Sequence, residues 1–268
     1  MISTTPYGEV LQIRMSRYPD FPTGMWVCAY FVDGLLVDTG MAHTAEELTK
    51  FLKDKTVKLA VNTHFHEDHI SGNKFLQDEY GIDIYAHPLA LDKINKPAKL
   101  YPYQEEIWGY PVPSEVKPIG DHINTQNYRF DVIQTPGHDR DHICLFEKRN
   151  GWLFTGDLYI TTKPVACRPI DDMWQILADL KNIQALNPQV IFPAPTHVVK
   201  DPAEKLDGLI TYLEELGGRI EELYTKGRDV EQIRQEVFGK EDSFAEATQQ
   251  QFSSLTMVKS FLKKHLES

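Results

Sequence analysis

Seven consecutive residues carry most of the chemistry this chain can do: Thr63-His64-Phe65-His66-Glu67-Asp68-His69. They place three imidazoles and two carboxylates directly after residues 57–62, a segment that reads as a strand. Strand alternation aims His64 and His66 the same way, as two ligands of one ion require. Asp68 and His69 fall beyond the turn, where they can reach a second point close by. Neutral imidazole nitrogen and carboxylate oxygen suit Zn²⁺ and, less selectively, Fe or Mn. Three later segments supply what this group lacks. Thr135-Pro136-Gly137-His138 offers a third imidazole for the first ion, and Pro195-Thr196-His197 offers a last one. Phe154-Thr155-Gly156-Asp157 offers a carboxylate whose two oxygens can bridge two ions. Each candidate follows a segment that reads as a strand, where sites on α/β sheets are built. Such a pair of ions, ~3.5–4 Å apart, would hold a hydroxide of lowered pKa and polarise a carbonyl or phosphoryl oxygen. Asp68 can orient the water or take its proton.

The elements that must position these side chains alternate. Residues 10–13, 25–32 and 35–37 read as strands, with Asp33-Gly34 as a turn pair and residues 17–24 as a hairpin loop. A helix over residues 44–52 precedes the strand 57–62; a helix over 71–80, a strand over 82–85 and a short helix over 88–94 follow it. Residues 96–113 hold four prolines with Tyr101, Tyr103, Trp108 and Tyr110, and read as a long aromatic loop, either a lid or a packed surface loop. Strands return at 129–134, 143–146, 152–154 and 190–192. Met173, Ile176, Leu177, Leu180 and Ile183 form the stripe of an amphipathic helix. After Pro202 the pattern is helical, with Leu206, Leu209, Ile210, Leu213 and Leu216 on one face and Gly217-Gly218 expected to interrupt or bend it. Layered sheets flanked by helices, with a helical extension, satisfy this order. The expected division is a catalytic domain over 1–200 and an α-helical extension over 201–268, packed on it or on the second subunit of a homodimer.

Composition narrows the class. The 268 residues carry 28 Lys+Arg against 39 Asp+Glu, a net charge of −11, which disfavours nucleic-acid partners. Cys28, Cys144 and Cys167 are scattered, and no disulfide framework is expected. No apolar run reaches the ~18 residues of a membrane span. The first fifteen residues lack the layout of a signal peptide, so the expected compartment is the cytoplasm.

In order and spacing these marks resemble the metallo-β-lactamase superfamily: Val37-Asp38-Thr39-Gly40, the 64–69 run, Pro136-Gly137-His138, Gly156-Asp157 and His197. The resemblance implies an α/β fold, a four-layer αββα sandwich with a dinuclear site at one sheet edge. It implies His64, His66 and His138 on the first of two divalent ions (zinc before iron or manganese), Asp68, His69 and His197 on the second, and Asp157 bridging. Asp38 falls where the family's carboxylate orients an imidazole rather than binding metal. The second histidine of Thr135-Pro-Gly-His-Asp-Arg-Asp-His142 is similar to the glyoxalase II and β-lactamase-like endoribonuclease branches, and His142 is expected to brace the site. Tyr159, Lys163 and Arg168 are candidates for substrate contact, a cation there holding a carboxylate or phosphate. Ile160 stands where the lactonase branch has tyrosine, and His66 where the flavodiiron branch has glutamate. The expected activity is hydrolysis of an ester, thioester or phosphodiester in a small molecule. The alternatives are an endoribonuclease of the same fold and a persulfide dioxygenase, which would use one iron and oxygen.

Overall fold

The structure, a computed structural model, describes residues 1–18, 25–241 and 243–267. Internal contacts divide it into two compact units. The first comprises Met1–Thr135, Arg140–Ile160 and Pro188–Lys200; the second comprises Pro136–Asp139, Thr161–Asn187 and Asp201–Ser268.

The first unit holds two mixed sheets. One runs in the order β1 (Ile2–Tyr7), β2 (Val10–Met15), β3 (Val27–Val32), β4 (Leu35–Val37), β5 (Leu59–Val61), β6 (Asp83–Ala86) and β7 (Lys117–Pro118). The other runs outward from β8 (His122–Asn124) through β9 (Arg129–Gln134), β10 (Ile143–Glu147), β11 (Trp152–Gly156) and β12 (Val190–Pro193) to β13 (Val199–Lys200). Asp33 and Gly34, at φ 48° and 86°, make the β3–β4 turn, which needs two left-handed residues to match strand twist. Between β4 and β5 the chain crosses over through helix α1 (Ala45–Phe51), and between β5 and β6 through α2 (Glu67–Ile70) and α3 (Asn73–Tyr80). Both strand pairs are parallel, as such crossovers require. Two short helices, α4 (Leu91–Ile94) and α5 (Pro102–Ile107), complete this unit.

The unbroken apolar run of β3 is explained by burial on both faces. Cys28, Tyr30 and Val32 face a core shared with Phe130, Leu145, Phe154 and Phe192 of the second sheet. Val27 and Ala29 face the opposite core, with Leu48 of α1, Leu76 of α3 and Ile94 of α4. Tyr30, Phe154 and Phe192 meet at centroid distances of 4.9–5.6 Å, contacts worth ~0.5–1.5 kcal/mol each beyond burial. The Tyr30 hydroxyl is satisfied in that core: it donates to Pro193 O at 2.6 Å and accepts from Gln12 Nε2 at 3.2 Å.

The second unit is helical: α6 (Met173–Ala185), α7 (Ala203–Thr225), α8 (Val230–Phe238), α9 (Ser243–Ala247), α10 (Ser254–Phe261) and α11 (Lys263–Leu266). The expected stripe of α7 is buried from Leu206 to Leu216. Gly217-Gly218 does not interrupt α7. A Cβ on Gly217 would meet the Trp174 and Phe261 side chains at 2.6–2.9 Å, so this glycine admits two aromatic rings rather than breaking the helix. None of the described helices is long and apolar enough to cross a membrane.

The aromatic segment 96–113 is a packed loop built around α5 rather than a strand-free lid. Pro102 opens the helix, Tyr101 and Gln104 form a reciprocal cap, Ile107 is buried, and Trp108 O accepts from Ala42 N at 2.9 Å. The hairpin loop expected over 17–24 lies, from Pro19 to Gly24, outside the described residues; β2 and β3 on either side pair antiparallel, Met15 opposite Val27.

Candidate metal centre

Beyond Val61 the chain leaves the β5 ladder and both sheets of the first unit grip it. Asn62 N donates to Tyr85 O at 2.8 Å, while Thr63 O accepts from Ile143 N of β10 at 2.9 Å. This pairing brings the 64–69 run beside the start of β10: the His64 and His142 rings lie 5.0 Å apart. His66, in extended backbone, starts α2, and its ring stands 4.2 Å from that of His64. His64, His66 and Asp157 each offer a donor atom within 4.8 Å of the others, and Asp68, His69 and Asp157 do the same.

Asp38 sets the state of His69. At φ 60° it sits in left-handed backbone, and its buried carboxylate accepts from Thr63 N at 2.7 Å and from Thr63 Oγ1. The other side of the carboxylate meets His69 Nδ1 at 2.8 Å. With its proton held there, His69 turns Nε2 inward, 3.4 Å from an Asp68 oxygen and 3.3 Å from an Asp157 oxygen. That nitrogen is buried and has no hydrogen-bond partner among the described residues. Burial would push the His69 pKa down, but Asp68, Asp157 and Asp38 outweigh it and hold it well above the ordinary imidazole value. Burial raises the pKa of Asp38, against the pull of His69 and Thr63.

A sign follows for pH. In metal-free protein the charged His69 supports the fold fully below the ordinary imidazole pKa of ~6.5 and loses that effect as pH rises through its raised pKa. A ligating imidazole must be neutral, so binding expels this proton and affinity climbs with pH. Calorimetric zinc titrations at pH 7 in two buffers of different ionisation enthalpy should show net proton release. Equal heats in the two buffers would contradict a protonated His69.

Asp157 is aimed by its own backbone. Gly156 ends β11 at φ 48°, and a Cβ there would meet His142 Nε2 at 2.7 Å and Thr63 Oγ1 at 2.8 Å. The gap it leaves lets His142 Nε2 accept from Asp157 N at 3.2 Å, while His142 Nδ1 pairs with Thr135 Oγ1 at 2.7 Å. His142 thus accepts from the backbone of the carboxylate-bearing turn.

The remaining site residues divide. His138 lies in the Pro136–Asp139 segment of the second unit. Its Nδ1 is 3.2 Å from Asp171 and its Nε2 is 2.9 Å from an Arg168 nitrogen, so Arg168 rests on a histidine and a carboxylate rather than standing open. Gly137 N, beside it, donates to Asp179 of α6 at 2.8 Å. Tyr159 is buried, and Lys163 is exposed. The structure does not bring His197 into either group of donors. It is exposed, with its ring 5.4 Å from that of Trp26, whose face also carries the Arg14 guanidinium at 4.1 Å. The end of β12 sets where the backbone departs, but the turn toward β13 sets where the ring points, and here it points to Trp26.

Two contributors escape the sequence reading. Asp171 brings a buried carboxylate oxygen within 3.2 Å of His138 Nδ1, without the hydrogen bond that Asp38 makes to His69. Glu67, buried within the 64–69 run, accepts from Gln104 Nε2 of α5 at 2.8 Å. Pro102 followed by Gln104, a helix-start pattern, is the signal by which α5 could have been found.

This donor set, imidazoles and carboxylates with a buried inward-facing Nε2, fits divalent metal. A sequence profile described as the metallo-beta-lactamase superfamily matches residues 29–197. The chain belongs to this superfamily. Two mixed sheets, flanking helices and C-terminal helices make the metallo-β-lactamase αββα architecture implied by the sequence. A metallo-beta-lactamase family protein from Thermus thermophilus shares the fold at a TM-score of 0.67 and 18% identity, over 96% of this chain and 94% of that one. Among sequence relatives, the probable metallo-hydrolase YybB of Bacillus subtilis is 31% identical over 160 residues, 56% of this chain and 70% of that protein. A hydroxyacylglutathione hydrolase of Pelagibacter ubique is 29% identical over 115 residues, 42% of this chain and 41% of its own length. This chain therefore matches less than half the length of that second relative.

Proposed function

We propose that this chain is a dinuclear metal-dependent hydrolase, with an acyl thioester as its substrate class. The observation that carries the reading is His69 Nε2: buried, turned inward by the Asp38 contact at Nδ1, and flanked by Asp68 and Asp157. In this reading His64, His66 and His138 hold one ion, Asp68 and His69 hold the other, and Asp157 serves both. Zinc suits these donors best. Bound divalent ions would supply Lewis acidity and a water that ionises near neutral pH.

The chain's own groups do the rest. Asp38 keeps the proton of His69 on Nδ1, away from the site. Asp68, as exposed as Asp157 at about 15% and assigned to one ion only, orients the attacking water and accepts its proton. His142 and Gly156 hold Asp157 at its angle. Lys163 carries exposed positive charge on the Thr161–Asn187 segment, suited to a substrate carboxylate. The thioester class rests on the hydroxyacylglutathione hydrolase relative and on the paired histidines His138 and His142.

The test is a panel of an acyl-glutathione thioester, a lactone, bis-p-nitrophenyl phosphate, a cephalosporin and a glutathione persulfide, given with and without oxygen to protein as purified, its metals counted, and to zinc-loaded protein. Oxygen-independent turnover of the thioester, with two zinc ions per chain, is the expected result. Turnover of the phosphodiester alone would replace the substrate class. One iron per chain with oxygen uptake would replace the reaction.

A further inference from the structure

Lys93 lies outside every motif of the site, yet its ammonium touches both loops that carry the donors. It projects from α4, which is anchored by buried Ala90 and Ile94. Its Nζ stands 3.7 Å from the centroid of the Phe65 ring and 3.7 Å from Oδ1 of Asp141. Phe65 is the residue between His64 and His66. Asp141 precedes His142, the ring that accepts the backbone N–H of Asp157. One cation therefore joins the segment bearing two imidazoles to the segment that braces the shared carboxylate.

The physics favours this arrangement on both sides. The Asp141 side chain is fully buried, and a carboxylate in that position needs positive charge beside it. A cation over an aromatic face is attracted by the ring, more strongly as water is excluded. Moving Lys93 toward either partner stretches the contact with the other, so the spacing between the loops is held from both ends.

We propose that Lys93 is a positioning residue for the metal centre, fixing Phe65 and its flanking histidines against the segment from Asp141 to His142 and, through it, Asp157. This rests on the metal-dependent reading above for its consequence, but not for its geometry. Lys93 touches no reacting atom. Its charge acts through the alignment of His64, His66 and Asp157. Groups that orient metal ligands commonly contribute about 10–100-fold to metal affinity.

The experiment uses the full chain as wild type, Lys93→Gln and Lys93→Arg. Zinc affinity is read by competition with a chromophoric chelator, and the fold is checked by thermal melts in chelator. Lys93→Gln keeps a polar side chain, one bond shorter, and loses charge, and should weaken zinc by about 10–100-fold. Lys93→Arg keeps a cation that pairs with carboxylate and stacks on the ring, and should recover affinity to within about threefold. Wild-type affinity in Lys93→Gln, or an Arg variant as weak as the Gln variant, would overturn the proposal. A second readout needs no metal: imidazole ¹⁵N resonances of metal-free protein. Lys93→Gln should shift His66 and His142 together while leaving His197 in place, and unmoved His66 and His142 signals would overturn the proposal equally. Should wild type itself bind no zinc, the metal-dependent reading fails on that result, and the resonances still decide the role of Lys93.

Discussion

Replacing Asp157 by asparagine should leave the fold standing and remove nearly all activity. The substitution keeps the side chain's size and, through the backbone, the hydrogen bond from Asp157 N to His142. What it loses is charge at the one residue common to both donor groups. Metal ions contribute several kcal/mol of transition-state stabilisation, and each ~1.36 kcal/mol is tenfold in rate. The expected loss in kcat/KM on the thioester is therefore about 10³-fold or more, with metal content falling in parallel by elemental analysis. Asp157 is also among the charges that hold the His69 pKa up, so the variant should release fewer protons on binding zinc. Retention of full metal content and full activity would remove Asp157 from the centre and the hydrolase reading with it.

How much of this centre is legible in the sequence depends on how far a residue stands from a strand. Alternation along β5 and the turn into α2 are local, so His64, His66, Asp68 and His69 can be placed from spacing alone, and the structure brings donor atoms of these residues together with Asp157. Asp157 is legible for the same reason, one residue past β11. His197 is four residues past β12, far enough for loop geometry and the Trp26 ring to decide its direction. The contacts of His142 with Asp157 N and of Asp171 with His138 join residues 15 and 33 positions apart in the chain, and no local period encodes them. The fold shows the same division. The β3 run reads as a strand in the sequence, but its two-sided burial becomes visible only when both cores are assembled. Gly217 reads as a helix breaker until the aromatic rings that need its missing side chain are in place.

Asp38→Asn should cost metal affinity, and the reason lies in a proton rather than in a contact. Position 38 has φ 60°, a left-handed conformation that asparagine tolerates well and alanine does not, so the amide isolates the chemistry from backbone strain. Thr63 N–H then decides which way the amide lies. It now donates to Oδ1 at 2.7 Å and demands an acceptor, so the asparagine oxygen must face Thr63 and its NH₂ must face His69. An NH₂ cannot accept the Nδ1 proton that the carboxylate accepts today at 2.8 Å. His69 is driven to the other tautomer, with a lone pair on Nδ1 and a hydrogen on Nε2, the atom aimed at Asp68 and Asp157. The inward nitrogen becomes a donor where a ligand is needed. A loss of about 10–100-fold in zinc affinity is expected, and the thermal melt in chelator should fall most below neutral pH, where charged His69 leans on the Asp38 carboxylate. Imidazole ¹⁵N shifts of His69 report the tautomer directly. An unchanged tautomer, or unchanged zinc affinity in the face of a switched one, would show that Asp38 acts on this centre by some route other than the His69 proton.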